Sequence, residues 1–137
     1  MTGKIRVLFV CTANAARSQL AEALLRHTDP ARFEAFSAGT EPGQVDPRTY
    51  AALEHLGIDA SGLRSKSIDE FADEHFDYVI TLCDKAALEC QVLPALGDRL
   101  AWHFEDPVTS DKHDAFRHTL HEIHERVKMF VLVKTKH

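Results

Sequence analysis

The sequence predicts an α/β fold: a single domain over residues 1–137, in three layers, with a central, mostly four-stranded parallel sheet between helices. Short apolar runs of strand length alternate with longer segments in which apolar residues recur at helical spacing. Glycine, proline and aspartate separate these segments. Such alternation is typical of a parallel sheet covered by helices on both faces, and 137 residues suit one domain better than two.

Four apolar runs are the predicted strands, at residues 7–10, 33–37, 76–82 and 100–104. Open parallel sheets bind ligands outside the carboxyl ends of their strands. The residues that follow the strands are therefore the first candidates for a functional site. These are Cys11, Cys83, Glu105 and Asp106, together with Ser37, the last residue of the second strand.

The predicted helices lie between and after the strands. The first begins at about Ser18, and a second runs through Tyr50 to Leu56. Residues 84–89 have good helix-forming composition. A long final helix places apolar side chains from Phe116 to Phe130 on one face.

Composition excludes several classes of protein. Apolar residues make up 45% and charged residues 27% of the chain, as in globular proteins, and the apolar stretch near the N-terminus is too short to span a membrane. No secretory cleavage site follows it, so we expect a cytoplasmic protein without a membrane partner. The net charge of −5 and the scattered basic residues argue against nucleic-acid binding. We also expect the protein to be a monomer. In a reducing cytoplasm, the three cysteines are expected to be catalytic or redox-active thiols.

The segment after the first strand has the features of an oxyanion-binding loop. A tight turn from a strand into a helix directs backbone N–H groups and the positive end of the helix dipole toward one point. That environment favours the thiolate of Cys11, and the planar guanidinium of Arg17 can bind two ligand oxygens. The predicted substrate-binding residues are Thr12, Ala13, Asn14, Ala15, Ala16, Arg17 and Ser18.

Individual side chains of this loop agree with that role. The alanines leave the backbone accessible, Asn14 tolerates a left-handed conformation, and Ser18 can donate a hydrogen bond to the Cys11 sulfur. The alternative is that Cys11 is a buried cysteine at the end of a strand and Arg17 a surface residue. The combination of strand, central asparagine, arginine, serine and helix favours the oxyanion loop.

Cys83 follows the third predicted strand as Cys11 follows the first. If these strands are neighbours, about 4.8 Å apart, the two sulfurs can approach and a Cys11–Cys83 disulfide is plausible. Cys90 lies seven residues after Cys83, and seven helical residues rise about 10.5 Å, so a Cys83–Cys90 disulfide requires this segment to unwind. The alternatives are two small core residues or two metal ligands, although the spacing does not suit zinc.

Asp106 is the candidate general acid, because it follows the fourth strand and precedes a proline that fixes the turn. Glu105 is its competitor, but alternation along the strand directs it the other way. The histidines at 118, 121 and 124 do not converge on one face of a helix, so we interpret them as a solvated face without a metal.

These motifs resemble the thioredoxin-coupled arsenate reductases, which share the fold of the low-molecular-weight protein tyrosine phosphatases. The resemblance covers most of the chain. It includes residues 11–23, Ser37-Ala38-Gly39, Ser65-Lys66-Ser67, residues 79–83, Cys90 with Leu93-Pro94, and residues 103–107. Both groups share the loop, whereas the second and third cysteines are typical of the reductases.

The resemblance implies a mechanism. Cys11 attacks arsenate held by the loop and Arg17, and Asp106 protonates the departing oxygen. Cys83 attacks Cys11, arsenite leaves, and Cys90 then takes over the disulfide by attacking Cys83. Reduced thioredoxin restores the thiols, and no cofactor is bound.

Two departures from the family pattern bear on function. Some members bind potassium through an acidic residue in the region of Lys66; here an ammonium near Asn14 and Ser37 can replace the ion, so no metal is predicted. Val108 follows Asp-Pro, where a phosphatase is expected to have an aromatic residue. A phosphatase is therefore the second hypothesis, and a non-catalytic oxyanion or redox sensor the third.

Overall fold

A computed structural model describes residues 4–71, 73–83, 98–110, 112 and 114–135. Its centre is a four-stranded sheet in the order β2-β1-β3-β4, with every pair of neighbours parallel. The strands are β1 (Ile5–Cys11), β2 (Phe33–Gly39), β3 (Tyr78–Thr81) and β4 (Asp98–Ala101). The predicted α/β class and parallel four-stranded sheet are confirmed.

Helices flank this sheet. In the described part of the chain they are α1 (Arg17–Thr28), α2 (Pro47–His55) and α3 (Ala115–Thr135), with a 3₁₀ turn at Ile68–Phe71. Helices α1 and α3 pack against each other through buried apolar side chains. None of the helices in the described ranges is long and apolar enough to cross a membrane.

Aromatic side chains pack on both faces of the sheet. Phe33 of β2 contacts Phe130 of α3, with ring centres 5.8 Å apart. Phe36 lies three positions later and so faces the other side, where it packs edge-on against Phe71 and Phe76 at 5.9 and 5.4 Å. The sheet is thus buried on both faces, which explains why its central strand is apolar at every position from Val7 to Cys11.

The first two strands extend beyond the predicted 7–10 and 33–37, and the predicted bounds of the third and fourth strands are wrong. The fourth strand is Asp98–Ala101 instead of 100–104, and the third is shorter than the predicted 76–82. Trp102 and Phe104 are buried and still donate backbone hydrogen bonds to Thr81 O and Leu82 O, at 2.8 and 3.4 Å, although the ladder has ended. An apolar run indicates which residues are buried, and here the buried residues continue beyond the last residue that pairs in the sheet.

The histidine face of α3 is only partly solvated. His118 and His121 are exposed, but His124 is half-buried, so the prediction is wrong for that residue. Burial lowers the pKa of His124 below its usual 6.5, and the charges of Lys128 and His27 add to this.

The position of His124 predicts a pH effect on stability. The folded chain binds a proton at His124 more weakly than the unfolded chain does. The contribution of neutral His124 to the free energy of unfolding is therefore present above pH 6.5 and is lost as the pH falls through the pKa of the folded state. Between about pH 7.5 and pH 5.5, the midpoint of thermal unfolding should fall less in His124→Gln than in the wild type. The exposed His118→Gln is the control. Equal losses in all three proteins would contradict the prediction.

Candidate active site

Asn14 holds the loop between β1 and α1 in shape. It is fully buried and has a φ of 53°, in the left-handed region predicted for it. Its Nδ2 donates to Ser18 Oγ over 2.7 Å. Its Oδ1 accepts from Gln19 Nε2 at 2.9 Å and from the backbone N–H of Lys66 at 2.7 Å. These hydrogen bonds fix a backbone conformation that residues other than glycine rarely adopt.

Ser18 connects Asn14 to the predicted nucleophile. The Cys11 sulfur lies 2.9 Å from Ser18 Oγ, and both residues are buried. Because the Asn14 amide nitrogen can only donate, Ser18 Oγ accepts from it and keeps its own proton for the sulfur. A donor at the sulfur stabilises the thiolate, which is the nucleophilic form.

Backbone carbonyls of the loop accept hydrogen bonds on one side of the loop. Those of Thr12, Ala13 and Ala15 accept backbone hydrogen bonds from residues 41, 43 and 46 at 2.8, 3.0 and 3.0 Å. In a trans peptide the N–H points opposite to the carbonyl. The N–H groups that follow these carbonyls therefore point away from residues 41–46. They are among the amides that the sequence predicts to hold an oxyanion.

Arg17 and Asp106 meet at a small cavity beside the loop. Arg17 donates from Nη1 to Phe104 O over 2.9 Å, and its Nη2 lies 3.6 Å from Asp106 Oδ2. Glu105 is exposed, so Asp106 is the acid that faces the loop, as predicted. The cavity has a volume of about 210 Å³. It is lined by Cys11, Thr12, Ala13, Ala15, Ala16, Arg17, Asp106 and Val108.

Cys83 lies close to the same loop. Strands β1 and β3 are paired neighbours, and Leu82 N donates to Val10 O over 2.9 Å just beyond their ladder. Cys83 Sγ is 3.6 Å from Thr12 Oγ1, next along the chain from Cys11. Both sulfurs are buried free thiols. Cys90 lies outside the described residues, so its predicted pairing with Cys83 stays a prediction.

A buried ion pair lies near Asn14. The side chains of Lys66 and Glu22 are 9% and 4% exposed, with Lys66 Nζ 3.6 Å from Glu22 Oε1. Ser37 Oγ donates to the same carboxylate oxygen over 2.7 Å, and Lys66 Nζ lies 3.4 Å from Ser37 Oγ, the neighbour predicted for it. Burial lowers the pKa of Lys66, while the Glu22 carboxylate acts to raise it.

Sequence reasoning did not assign roles to Gln19, Glu22 or Gly39. Gln19 Nε2 donates to Asn14 O at 3.0 Å and to Arg64 O at 2.8 Å, which ties the loop to a segment far along the chain. The only available signal was indirect: polar residues at positions 19 and 22 interrupt the apolar face of α1 and are nevertheless buried. A buried polar side chain requires partners that the local sequence does not name.

A family model described as low molecular weight phosphotyrosine protein phosphatase matches residues 6–136. The chain belongs to this phosphatase family. An arsenate reductase of Halalkalibacterium halodurans is 35% identical over 129 residues, which cover 90% of this chain and 93% of that protein. The crystal structure of an arsenate reductase from Archaeoglobus fulgidus matches with a TM-score of 0.76 at 38% identity, covering 91% of this chain and 98% of that one.

A further structural relative is the thioredoxin-dependent arsenate reductase of Corynebacterium glutamicum. It matches with a TM-score of 0.77 at 29% identity, covering 96% of this chain and 62% of that one. The resemblance inferred from the motifs is confirmed.

Proposed function

We propose that this protein reduces arsenate to arsenite, with Cys11 as the nucleophile and Cys83 and Cys90 as resolving thiols. The observation that carries the proposal is the position of Cys83, whose sulfur lies 3.6 Å from the hydroxyl of Thr12 at the carboxyl ends of two paired strands. Phosphoester hydrolysis needs no second thiol there. The 35% identity to a curated arsenate reductase supports the same conclusion.

The first step is nucleophilic displacement at arsenic. The Cys11 thiolate, assisted by the Ser18 hydroxyl, attacks arsenate bound by the loop amides and the guanidinium of Arg17. A sulfur–arsenic bond forms and an arsenic–oxygen bond breaks. Asp106, at the rim of the same cavity, supplies the proton with which that oxygen leaves as water.

The second step transfers two electrons to arsenic. The Cys83 thiolate attacks the Cys11 sulfur, a disulfide forms, and the electron pair of the sulfur–arsenic bond stays on arsenic, which leaves as arsenite. The hydroxyl of Thr12, 3.6 Å from Cys83 Sγ, is placed to stabilise that thiolate.

The third step returns the site to its reduced form. Cys90 attacks Cys83 and frees the Cys11 thiol, and a dithiol of the thioredoxin class reduces the Cys83–Cys90 disulfide. The thioredoxin-dependent relative from Corynebacterium glutamicum supports this choice of reductant. Such a cycle requires a reducing compartment, and we therefore assign the protein to the cytoplasm.

The cavity also bears on the alternative, a phosphatase. A phosphotyrosine ring needs an apolar or aromatic slot beside the phosphate. The side chains that line the cavity in the described part of the chain are small, apart from Arg17, and Val108 lies at the rim. A compact oxyanion fits this lining better than an aryl phosphate does.

The deciding experiment measures arsenate-dependent oxidation of NADPH in the presence of thioredoxin and thioredoxin reductase. Hydrolysis of an aryl phosphate is measured in parallel on the same preparation. We expect sustained NADPH oxidation and little hydrolysis. Hydrolysis without arsenate reduction would overturn the proposal in favour of a phosphatase.

Replacing the third cysteine tests the relay. Cys90→Ser should carry out about one turnover and then stop with a Cys11–Cys83 disulfide, because no thiol remains to attack Cys83. Mass spectrometry after arsenate addition should detect that disulfide, and rapid-quench measurement should detect about one arsenite per chain. Continued turnover with thioredoxin would show that Cys90 is not the last resolving thiol.

A further inference from the structure

The ammonium of Lys66 lies among oxygen atoms below the loop. Lys66 Nζ donates to Arg64 O over 2.7 Å and lies 3.4 Å from Ser37 Oγ and 3.6 Å from Glu22 Oε1. Carbonyl, hydroxyl and carboxylate oxygens are also the ligands that hard cations take in proteins. A potassium ion does not fit here, because the ammonium already occupies the space between these oxygens.

We propose that Lys66 is a tethered cation that positions the Cys11 loop, so that this protein carries out with a side chain what would otherwise require a bound monovalent ion. The inference rests on the proposed role of Cys11 as nucleophile. Lys66 does not touch the reacting atoms and is therefore a positioning residue.

The first link in this argument is the backbone of Lys66. Its N–H donates to Asn14 Oδ1 over 2.7 Å, and its carbonyl accepts from Gly39 N over 2.8 Å. The Gln19 amide donates to both Asn14 Oδ1 and Arg64 O, at 2.9 and 2.8 Å. The side chain of Lys66 holds residue 66 in place. Through the backbone N–H of that residue, it therefore also fixes Asn14 in its left-handed conformation.

The second link runs from Asn14 to the thiol. Asn14 Nδ2 donates to Ser18 Oγ, which leaves the Ser18 proton for Cys11 Sγ at 2.9 Å. If Asn14 moves, Ser18 regains the freedom to turn away from the sulfur. Loss of that hydrogen bond would make the thiolate less favourable and Cys11 less reactive at neutral pH.

The third link is the charge of Glu22. Arg26 Nη2 binds its Oε2 at 2.9 Å, but Oε1 has only Ser37 and Lys66 as partners among the described residues. Removing one member of a buried pair leaves an uncompensated charge, which is strongly destabilising. A free cation of suitable size should therefore enter the space left by a truncated Lys66.

The first test removes the charge and keeps the length of the side chain. In a Cys83→Ser/Cys90→Ser background, only Cys11 reacts with iodoacetamide, and the assay needs no arsenate. Lys66→Met should lower the alkylation rate at about pH 7 roughly tenfold and move the pH midpoint of the rate upward. Lys128→Met, on the exposed face of α3, is the control and should leave the profile unchanged. An unaltered profile in a less stable Lys66→Met would show a merely structural role and overturn the proposal.

The second test uses thermal unfolding at constant ionic strength. The unfolding midpoint of the wild type should be the same in potassium, sodium and choline chloride. Lys66→Ala should be stabilised by potassium or ethylammonium relative to choline, since either cation can bind the vacated oxygens. A rise in the wild-type midpoint with potassium over sodium would overturn the proposal even if the variants do not fold. If the wild type did not turn over arsenate, that result would contradict the proposed function only. Both tests of Lys66 would remain valid, because neither uses arsenate.

Discussion

Gly39→Ala should unfold at a temperature at least about 4 °C lower than the wild type and should lose most of its activity. A Cβ built at Gly39 would lie 2.5 Å from Thr12 O, closer than real contacts allow, and 3.0 Å from Asn14 N and Cβ, which is tighter than most real contacts. The obstructing atoms belong mainly to the backbone of the oxyanion loop, so the loop itself must shift. A displacement of about 1 Å at a catalytic group can reduce the rate a hundredfold.

The chain offers a matched control in Gly43→Ala. Apart from its neighbours in the chain, no described residue comes within 4 Å of a Cβ at Gly43, although the Gly43 N–H donates to the same loop, at Ala13 O over 3.0 Å. Alanine keeps that N–H, so stability and turnover should stay close to those of the wild type. Circular dichroism melting and arsenate turnover measured on both variants decide the matter. Similar losses in the two variants would show that the close approach at Gly39 is not responsible.

Arg17→Lys should lower kcat/KM for arsenate about a hundredfold or more while leaving the chain folded. The guanidinium lies in the cavity wall, where one nitrogen is bound by Phe104 O and another lies 3.6 Å from Asp106 Oδ2. A lysine keeps the charge but cannot bind two oxygens of an anion while holding the backbone as well. Steady-state kinetics and binding of arsenate or phosphate by calorimetry measure the loss.

The control for this substitution is Arg32→Lys. The side chain of Arg32 is exposed at the opposite end of β2 from the site, and its Nε lies 2.7 Å from Oδ2 of the buried Asp29, a pair in which lysine keeps the charge. Such a surface change should alter stability by less than about 0.5 kcal/mol and leave kcat/KM unchanged. If Arg17→Lys kept wild-type kcat/KM, the planar guanidinium would not be needed to hold the substrate.

The agreement between sequence and structure is closest where function is encoded in consecutive residues. The loop from Cys11 to Ser18 is predicted from its order of residues, because a strand, a turn with a left-handed asparagine and a helix start follow one another within a few positions. The proximity of Cys83 to this loop is predicted from one rule, that parallel strands end at a common edge. Both inferences need only local structure and strand adjacency.

The departures arise where burial and pairing do not coincide. Trp102 and Phe104 are apolar and buried, but they lie beyond the end of β4. His124 is predicted to lie on a solvated face but is half-buried on the folded chain. A hydrophobic pattern predicts which side chains are buried. It does not predict which neighbouring residues bury them.

The sequence alone determined the parallel α/β class, and it predicted an oxyanion-binding role for the loop with Cys11 and Arg17 and the candidates Cys83 and Asp106. The tertiary structure decided that Asp106 instead of Glu105 faces Arg17, that Gly39 lies against Thr12 O, and that Lys66 and Glu22 form a buried pair near Asn14. These contacts join residues distant in the chain. Their formation depends on how the segments pack, and no local propensity or spacing encodes that packing.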